Sequence, residues 1–283
     1  MATSLEQGFA FGDKDFSDIA ALIKKETGIH LEQRKRNMVY ARLASRIRAN
    51  NFTNFRDYLN FIEANGEEFG NFINAMTTNV THFFREGHHF DYLYAFLCEE
   101  LRKRKSASPI LLWSTASSSG QEPYSMACVA ARAQETAKGG ASVRILATDL
   151  DSNMIAQGEG GTYPGEMLEK FPPEYKKYAK YDKSDGVMRI APEVKRMVAF
   201  RQLNLMHAWP MKRLYAVVFC RNVVIYFDQQ TQETLYQKID AVMEKSGMLC
   251  IGHSENLHGP AAKNYTREGR TMYRKCGQGE RNA

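Results

Sequence analysis

Hydrophobic residues between positions 16 and 105 recur at intervals of three and four, which is the spacing of helices that bury one face. A glycine at position 28 is a plausible stop for the first of these helices. The charged run RKRKSAS then interrupts the pattern and indicates the entry into a second domain. We predict five helices, at residues 16–28, 32–49, 52–66, 67–78 and 87–105.

From Pro109 onward, short apolar runs alternate with helical patterns. Runs of this kind are typical of strands in a mostly parallel sheet that is covered on both faces. The predicted helices are EPYSMACVAARAQET and QTQETLYQKIDAVMEK, the latter ending at residue 245. The predicted strands are residues 109–116, 142–150, 197–205, 215–222 and 247–255.

Residues 160–196 do not follow this alternation. The segment holds four prolines, and its sequence KSDG before VMRI predicts a turn that leads into a short strand. We therefore expect a small inserted subdomain at 160–196.

Composition places the chain among soluble globular proteins, with 43% hydrophobic and 25% charged residues. The N-terminus lacks the layout of a signal peptide, and the five scattered cysteines indicate reduced thiols. We expect a cytoplasmic protein without direct membrane insertion. No stripe typical of oligomers is apparent, so a monomer is the expectation.

The net charge of +6 is concentrated in residues 20–50, which carry eight basic residues against two acids. On a helical wheel Lys35, Arg42 and Arg46 lie within about 40° of one another, whereas Arg48 lies off this stripe. A basic helix face suggests an acidic partner, such as nucleic acid, an anionic membrane or a glutamate-rich protein. A solvated helix face is the plainer alternative.

The turn WSTASSSGQE follows the first predicted strand and opens a helix, as nucleotide-binding turns do. It contains one glycine, so it lacks the G-x-G-x-x-G fingerprint of dinucleotide sites, and no Gly-Lys-Ser/Thr follows. Asp149 ends the next strand, where a carboxylate can accept both ribose hydroxyls; a turn aspartate or helix N-cap is the alternative. A site for ribose without phosphate suits S-adenosylmethionine.

Several segments together resemble the CheR family, the S-adenosylmethionine-dependent methyltransferases that esterify glutamates of bacterial chemoreceptors. The resemblance extends over nearly the whole chain in order and spacing. It is carried by TTNVTHFFRE, WSTASSSGQEPYSMA, ATDLD, LNL, CRNVVIYFD and GHSEN.

The resemblance implies an α/β protein in which a small all-helical domain precedes a Rossmann-like methyltransferase domain with an inserted antiparallel β subdomain. The expected boundaries are a helical receptor-recognition domain at 1–86, a linker at 87–108 and the methyltransferase domain at 109–283. The β subdomain is the segment at 160–196. A short loop at KYDKSDGV favours a member that does not depend on a peptide tether at the receptor C-terminus.

The family's cofactor contacts carry over to matching positions of this chain. We expect Asp149 to bind the ribose, Glu122 the positively charged end of the cofactor, and Asn204 with Leu205 the adenine. Arg85 and Arg221 have interdomain ion pairing as the alternative, and Leu205 a place in the core. The implied contacts are Asn79, Thr81, Arg85, Glu122, Asp149, Asn204, Leu205, Arg221 and Asn222.

Methyl transfer from a sulfonium to a carboxylate needs no general base, because the glutamate nucleophile is ionised at neutral pH. Orientation and desolvation are then the enzyme's main contributions. We predict Arg85 and Tyr226 as catalytic residues, the first holding and the second aiming the carboxylate. A core aromatic is the alternative for Tyr226. The histidines at 82, 88, 89 and 253 are expected to be surface or packing residues.

The acidic methylation helices of chemoreceptors are the expected partner of the basic face, with Lys35, Arg42, Arg46 and Arg48 as contacts. Neither a nucleic acid partner nor a metal is expected. Three other functions remain: an RNA or small-molecule methyltransferase, a catalytically silent adaptor, and an NAD(P) oxidoreductase. The missing glycines disfavour the last. The basic helix offers only one aromatic residue, Tyr40, on its opposite face, which disfavours RNA binding.

Overall fold

The computed structural model describes residues 8–104 and 108–276. The chain divides into two compact units. The first extends to Thr78 and also includes Tyr226–Asp228, and the second comprises Asn79–Ile225 and the residues from Gln229 onward.

The first unit contains the four helices that the hydrophobic periodicity predicts there. Gly28 ends the first of them in the left-handed region, with φ of 76°. Asn54 and Asn65 cap the last two, each accepting a backbone N–H with its side-chain oxygen. The helices are α1 (Asp13–Thr27), α2 (Arg36–Ala49), α3 (Phe55–Ala64) and α4 (Gly66–Met76).

A seven-stranded sheet forms the centre of the second unit. Its order is β6-β2-β1-β7-β8-β10-β9, and the five strands from β6 to β8 are parallel to one another. β10 runs antiparallel to both of its neighbours. The strands are β1 (Ile110–Ser114), β2 (Val143–Asp149), β6 (Val198–Gln202), β7 (Tyr215–Cys220), β8 (Met243–Ile251), β9 (Tyr265–Gly269) and β10 (Met272–Lys275).

This strand order confirms the predicted Rossmann-like sheet and places its crevice. The chain leaves β1 toward β2 on one side and resumes at β7 on the other, so the order reverses between β1 and β7. Ligands of such sheets bind at the carboxyl ends of the strands beside this reversal. β1 and β7 are buried almost throughout, as expected for central strands.

The helices of the second unit are α5 (His88–Lys103), α6 (Gln121–Ala137), α7 (Ser152–Gly160), α8 (Pro192–Lys195) and α9 (Gln229–Ala241). The predicted helix that ended at residue 245 is too long. After α9 the carbonyl of Val242 accepts the backbone N–H of Tyr215, and Met243 already pairs with β7. Pairing of Met243 with the central sheet therefore ends the helix earlier than its hydrophobic periodicity predicts.

The segment at 160–196 forms the expected antiparallel subdomain. Its three strands are β3 (Thr162–Pro164), β4 (Ala179–Asp182) and β5 (Val187–Ile190), in the order β3-β5-β4. The predicted turn closes the β4–β5 hairpin, where Gly186 has φ of 71° and its N–H donates to Asp182.

No helix within 8–104 or 108–276 combines the length and apolar character needed to cross a membrane. The five cysteines are free thiols, and those at 98, 128, 220 and 250 are buried.

Candidate active site

The turn between β1 and α6 folds back onto the end of β2. The N–H of Ser117 donates to the carbonyl of Thr148 (2.8 Å), and that of Gly120 donates to Ser117 (3.0 Å). Ser118 and Gly120 both adopt positive φ, 48° and 98°. The single glycine thus lies where the backbone is left-handed and where a Cβ atom would be 2.6 Å from the hydroxyl of Tyr163.

Asp149 lies against this turn at the carboxyl end of β2, with 8% of its surface exposed. Its two oxygens accept backbone N–H groups, Oδ2 from Ser118 at 2.7 Å and Oδ1 from Asp151 at 2.9 Å. Burial raises the pKa of Asp149 to about 6. The N-cap of α7 is Asp151, which accepts from Asn153, so the capping alternative for Asp149 is wrong.

The segment Asn79–Glu86 is attached to the same turn. The side-chain amide of Asn79 donates to Asp151 (2.8 Å), and the backbone carbonyl of Asn79 accepts the hydroxyl of Ser118 (3.0 Å). Thr81 is half-buried on this segment. Of the predicted cofactor contacts, Asn79 and Asp149 are therefore brought together around Ser118.

Arg85 lies between two residues of positive φ, Phe84 and Glu86. Its Nη1 donates to the carbonyl of Val80 at 3.1 Å, and Val80 itself is 80% exposed. The N–H of Phe84 donates to the hydroxyl of Ser125 in α6 (2.9 Å). These bonds hold the segment against the domain while the guanidinium stays partly open to solvent.

Glu122, in the first turn of α6, forms a buried ion pair with Arg221, which follows β7. Arg221 Nη1 lies 2.8 Å from Oε2 of Glu122, and Oε1 accepts the hydroxyl of Ser114 at 2.7 Å. Burial raises the pKa of Glu122, although both of these partners favour its charged form. The predicted contacts Glu122 and Arg221 thus bind each other, and Arg221 also donates to the carbonyl of Arg85.

Sequence reasoning missed Glu86, which extends this buried group together with His89, one of the histidines expected to be surface or packing residues. Glu86 lies 3.5 Å from Arg221 and 3.1 Å from the ring of His253. Burial opposes its ionisation, but Arg221 and His253 outweigh that effect and lower its pKa. Burial, reinforced by Arg221, lowers the pKa of the fully buried His89 to about 3. Only the position of Glu86 beside Arg85 in FFRE pointed to it.

Asn204 and Leu205 follow β6 in an irregular loop. The side-chain oxygen of Asn204 accepts the N–H of Met206 (2.9 Å), and Leu205 is buried. The N–H of Leu203 donates to the carbonyl of Asp149 at 2.9 Å. The loop therefore leaves the sheet directly beside Asp149, as the adenine prediction requires.

Asn222 follows β7 and has φ of 57°. A Cβ atom on Gly252 would lie 2.5 Å from its amide nitrogen, so the glycine of GHSEN allows the two loops to approach. Glu255 of the same motif accepts the N–H groups of Val224 and Gly252. The motif thus supports the chain that follows β7, a role that the sequence did not reveal.

Tyr226 belongs to the first unit, whereas Arg85 belongs to the second. Its carbonyl accepts the N–H of His30 (2.8 Å), and the ammonium of Lys35 lies 5.5 Å from the centre of its ring. Lys35, predicted to bind the receptor, therefore contacts the residue predicted to aim the carboxylate.

The other predicted receptor contacts have partners within the first unit. Arg42 donates to the carbonyls of Met76 and Thr77 at 3.0 and 2.6 Å and so caps the end of α4. Arg46 donates through Nε to Glu68 at 2.9 Å. The guanidinium of Arg48 lies 5.3 Å from the centre of the Phe9 ring and is exposed.

Two family models match this chain and together cover most of it. The model described as "CheR methyltransferase, all-alpha domain" matches residues 14–77, and "CheR methyltransferase, SAM binding domain" matches residues 79–273. The chain belongs to the CheR methyltransferase family.

Curated relatives of this CheR methyltransferase support the same assignment. A probable chemotaxis protein methyltransferase of Rhizobium etli is 36% identical over 259 residues, which are 89% of this chain and 96% of the relative. The chemotaxis protein methyltransferase of Escherichia coli is 35% identical over 95% of this chain and 93% of its own length. Chemotaxis protein methyltransferase 2 of Pseudomonas aeruginosa is 35% identical, covering 89% of each chain.

The cofactor is therefore S-adenosylmethionine, and the residues at the carboxyl ends of the strands fit it. Each oxygen of Asp149 accepts one backbone N–H, so a lone pair on each remains for a hydroxyl donor. The carboxylate is buried, and donors from a ligand would replace the water it has lost. No pyrophosphate needs space at the turn, which agrees with its one glycine.

Proposed function

We propose that this CheR methyltransferase transfers the methyl group of S-adenosylmethionine to glutamate carboxylates of bacterial chemoreceptors in the cytoplasm, and that the resulting methyl esters serve chemotactic adaptation. The observation that carries the proposal is the buried Asp149, held by Ser118 and Asp151 at the carboxyl end of β2. Family membership and the names of the relatives support the substrate class.

In this proposal the predicted contacts bind different parts of the cofactor. Asp149 accepts the ribose hydroxyls, and Asn204 with Leu205 binds the adenine. Asn79 and Thr81 approach from the segment attached to Ser118, and Asn222 from the end of β7. Glu122 attracts the positively charged end, and Arg221 orients Glu122 through their ion pair of 2.8 Å.

Bound S-adenosylmethionine supplies an electrophilic methyl group. The glutamate side chain of the receptor is already ionised at neutral pH, since its ordinary pKa is about 4.3. The chain therefore needs to orient and desolvate this carboxylate and not to deprotonate it. Arg85 is suited to hold it, because one N–H donates to Val80 and the guanidinium carries further donors.

Tyr226 is proposed to aim the carboxylate, and Lys35 lies near its ring. The acidic receptor helix is proposed to bind the basic face formed by Lys35, Arg42 and Arg46, with Arg48 as a further contact off this face. Arg46 contributes least to this attraction, because its charge is paired with Glu68, whereas Arg42 donates to two neutral carbonyls and keeps its full charge.

The test is transfer of a labelled methyl group to a cytoplasmic chemoreceptor fragment, followed by brief alkaline treatment. A carboxyl methyl ester releases methanol under these conditions, whereas methylated RNA bases and amines retain the label. We expect alkali-labile label that is lost when the accepting glutamates are replaced by glutamine. Stable label on RNA, or none on any receptor fragment, would contradict the proposal.

Calorimetric titration with S-adenosylhomocysteine tests the site separately. We expect Asp149→Ala to weaken binding at least tenfold, because two hydrogen bonds to a charged acceptor are lost. Glu159→Gln, at an exposed position of α7, is the matched control and should bind as the wild type does. If Asp149→Ala binds S-adenosylhomocysteine as tightly as the wild type does, the carboxylate of Asp149 is not part of the cofactor site.

A further inference from the structure

The loop that carries Asn204 and Leu205 has little regular structure of its own. Within the loop, the N–H of Met206 donates to the side chain of Asn204 (2.9 Å) and that of His207 donates to the carbonyl of Asn204 (3.2 Å). These bonds close a tight turn, but they do not attach the loop to the sheet. Beyond Leu203, whose N–H donates to the carbonyl of Asp149, the position of the loop therefore depends on contacts from other elements.

Lys238 of α9 makes such contacts. Its ammonium donates to the carbonyl of Leu205 at 2.5 Å and to that of His207 at 2.8 Å. The same ammonium lies 4.3 Å from the centre of the Trp209 ring. The side chain of Lys238 thus contacts three residues of the loop between positions 205 and 209.

The partners of Lys238 are those of a positioning group and not of a surface ion pair. Within the described ranges, no carboxylate lies within ion-pair distance of its ammonium. Burial lowers the pKa of Lys238. The charge is balanced by two carbonyl dipoles and a ring face, which hold it at a defined place in the loop.

Trp209 connects the contacts of Lys238 to the turn that holds Asp149. Its Nε1 donates to the carbonyl of Leu205 at 3.2 Å, and its ring packs edge-on against Trp113 with 4.8 Å between centroids. Trp113 in turn donates to the hydroxyl of Thr148 at 2.9 Å. Thr148 directly precedes Asp149.

A cavity of about 250 Å³ lies behind this loop, lined by Leu205, Met206, Leu235 and Lys238 together with polar residues of α9. An open space beside Leu205 gives the loop room to move once its attachment is lost. The contacts of Lys238 join the loop to α9 at the edge of this cavity.

We propose that Lys238 is a positioning residue that holds the Asn204–Leu205 loop in the conformation that binds the adenine of the cofactor. This inference rests on the proposed function only in assigning the adenine to Asn204 and Leu205. Lys238 itself touches neither cofactor nor substrate in this proposal.

The experiment compares Lys238→Met with Lys238→Arg and with Gln237→Met, a neighbouring exposed position on α9. Calorimetric titration with S-adenosylhomocysteine should show a dissociation constant raised about tenfold in Lys238→Met. Lys238→Arg should recover most of the affinity, because a guanidinium can donate to the same carbonyls, and Gln237→Met should match the wild type. In the methyl transfer assay, KM for S-adenosylmethionine should rise while kcat is unchanged.

If Lys238→Met does not fold, Trp209→Phe gives the second test, since it retains a ring but removes the bond to Leu205. It should weaken S-adenosylhomocysteine binding in the same direction. Affinities within twofold of the wild type for the folded variants would overturn the positioning role. Failure of the wild type to bind S-adenosylhomocysteine would instead contradict the proposed function, so the two failures are distinct.

Discussion

Arg221 and Glu122 form an ion pair of 2.8 Å in which the side chains are 1% and 12% exposed. The pair joins the residue that follows β7 to the first turn of α6, across the carboxyl end of β1. Removing one member of such a pair leaves the other as an uncompensated buried charge.

We therefore expect Arg221→Met to lower the free energy of unfolding by about 3–5 kcal/mol. Urea denaturation of the wild type and the variant measures this loss. The double variant Arg221→Met/Glu122→Gln should recover part of the stability, because the carboxylate of Glu122 is then removed and of the two carboxylates beside Arg221 only Glu86, which keeps His253 as a partner, stays charged. A double variant that is less stable than Arg221→Met alone would argue against the pair as the source of the effect.

The pKa of Asp149 predicts how cofactor binding depends on pH. Burial raises this pKa to about 6 in the free protein, and hydroxyl donors from the ribose would stabilise the charged form and lower it. Binding should release a proton near pH 6. Affinity for S-adenosylhomocysteine is then fully present above about pH 6 and falls as the pH drops through that value.

Calorimetry near this pH, in two buffers with different ionisation enthalpies, measures the released proton directly. Asp149→Asn cannot titrate and is the control, so it should show a weaker affinity and a much smaller proton release. Equal proton release by the wild type and Asp149→Asn would assign the effect to another group.

Tyr163 connects the inserted β subdomain to the turn after β1. Its hydroxyl donates to the carbonyl of Ser119 at 2.7 Å, and its ring packs edge-on against Phe83. We expect Tyr163→Phe to retain the fold but to weaken S-adenosylhomocysteine binding severalfold, because the turn loses one of its attachments. Tyr181→Phe, at an exposed tyrosine of β4, is the control. If both variants bind equally, the turn does not depend on the subdomain.

Arg46, Glu68 and Tyr58 form a group inside the helical unit. Arg46 and the hydroxyl of Tyr58 both donate to Glu68, which is 5% exposed. Burial opposes ionisation of Glu68, but hydrogen bonds from Arg46, Tyr58 and the side-chain amide of Asn71 outweigh this and lower its pKa. Glu68 thus stabilises the fold above its ordinary pKa, and this contribution is lost as the pH falls through its lowered value.

We expect Arg46→Met to lower the free energy of unfolding by about 2–3 kcal/mol. This loss is smaller than for a fully buried ion pair, because the side chain of Arg46 is partly exposed. Thermal unfolding measures this loss, and Lys25→Met, at an exposed position of α1, should leave the melting temperature unchanged. If Arg46→Met leaves the melting temperature unchanged, the pair with Glu68 does not stabilise the fold, and receptor binding is the role that remains for Arg46.

The sequence by itself determined the elements and the order in which they occur. The prolines and the turn motif marked the inserted segment. Hydrophobic patterning placed the helices of the first unit and the five parallel strands, because burial imposes that pattern on the chain. It missed the β9–β10 hairpin, where charged residues such as Arg267 and Glu268 lie exposed in β9 and leave no clear alternation. Family motifs also named Asp149 and Arg221 at the strand ends and Glu122 in the first turn of α6.

Only the tertiary structure decided what these residues do to one another. Arg42, Arg46 and Arg48 share a basic helix in the sequence, yet two of them bind carbonyls or a carboxylate more than 20 residues away. Tyr163 and Lys238 lie in no motif, and Glu86 ends one without an assigned role; the three were identified through partners in distant segments. The physical reason is that periodicity records which face is buried, whereas the pairing of charges and donors depends on how the elements pack together.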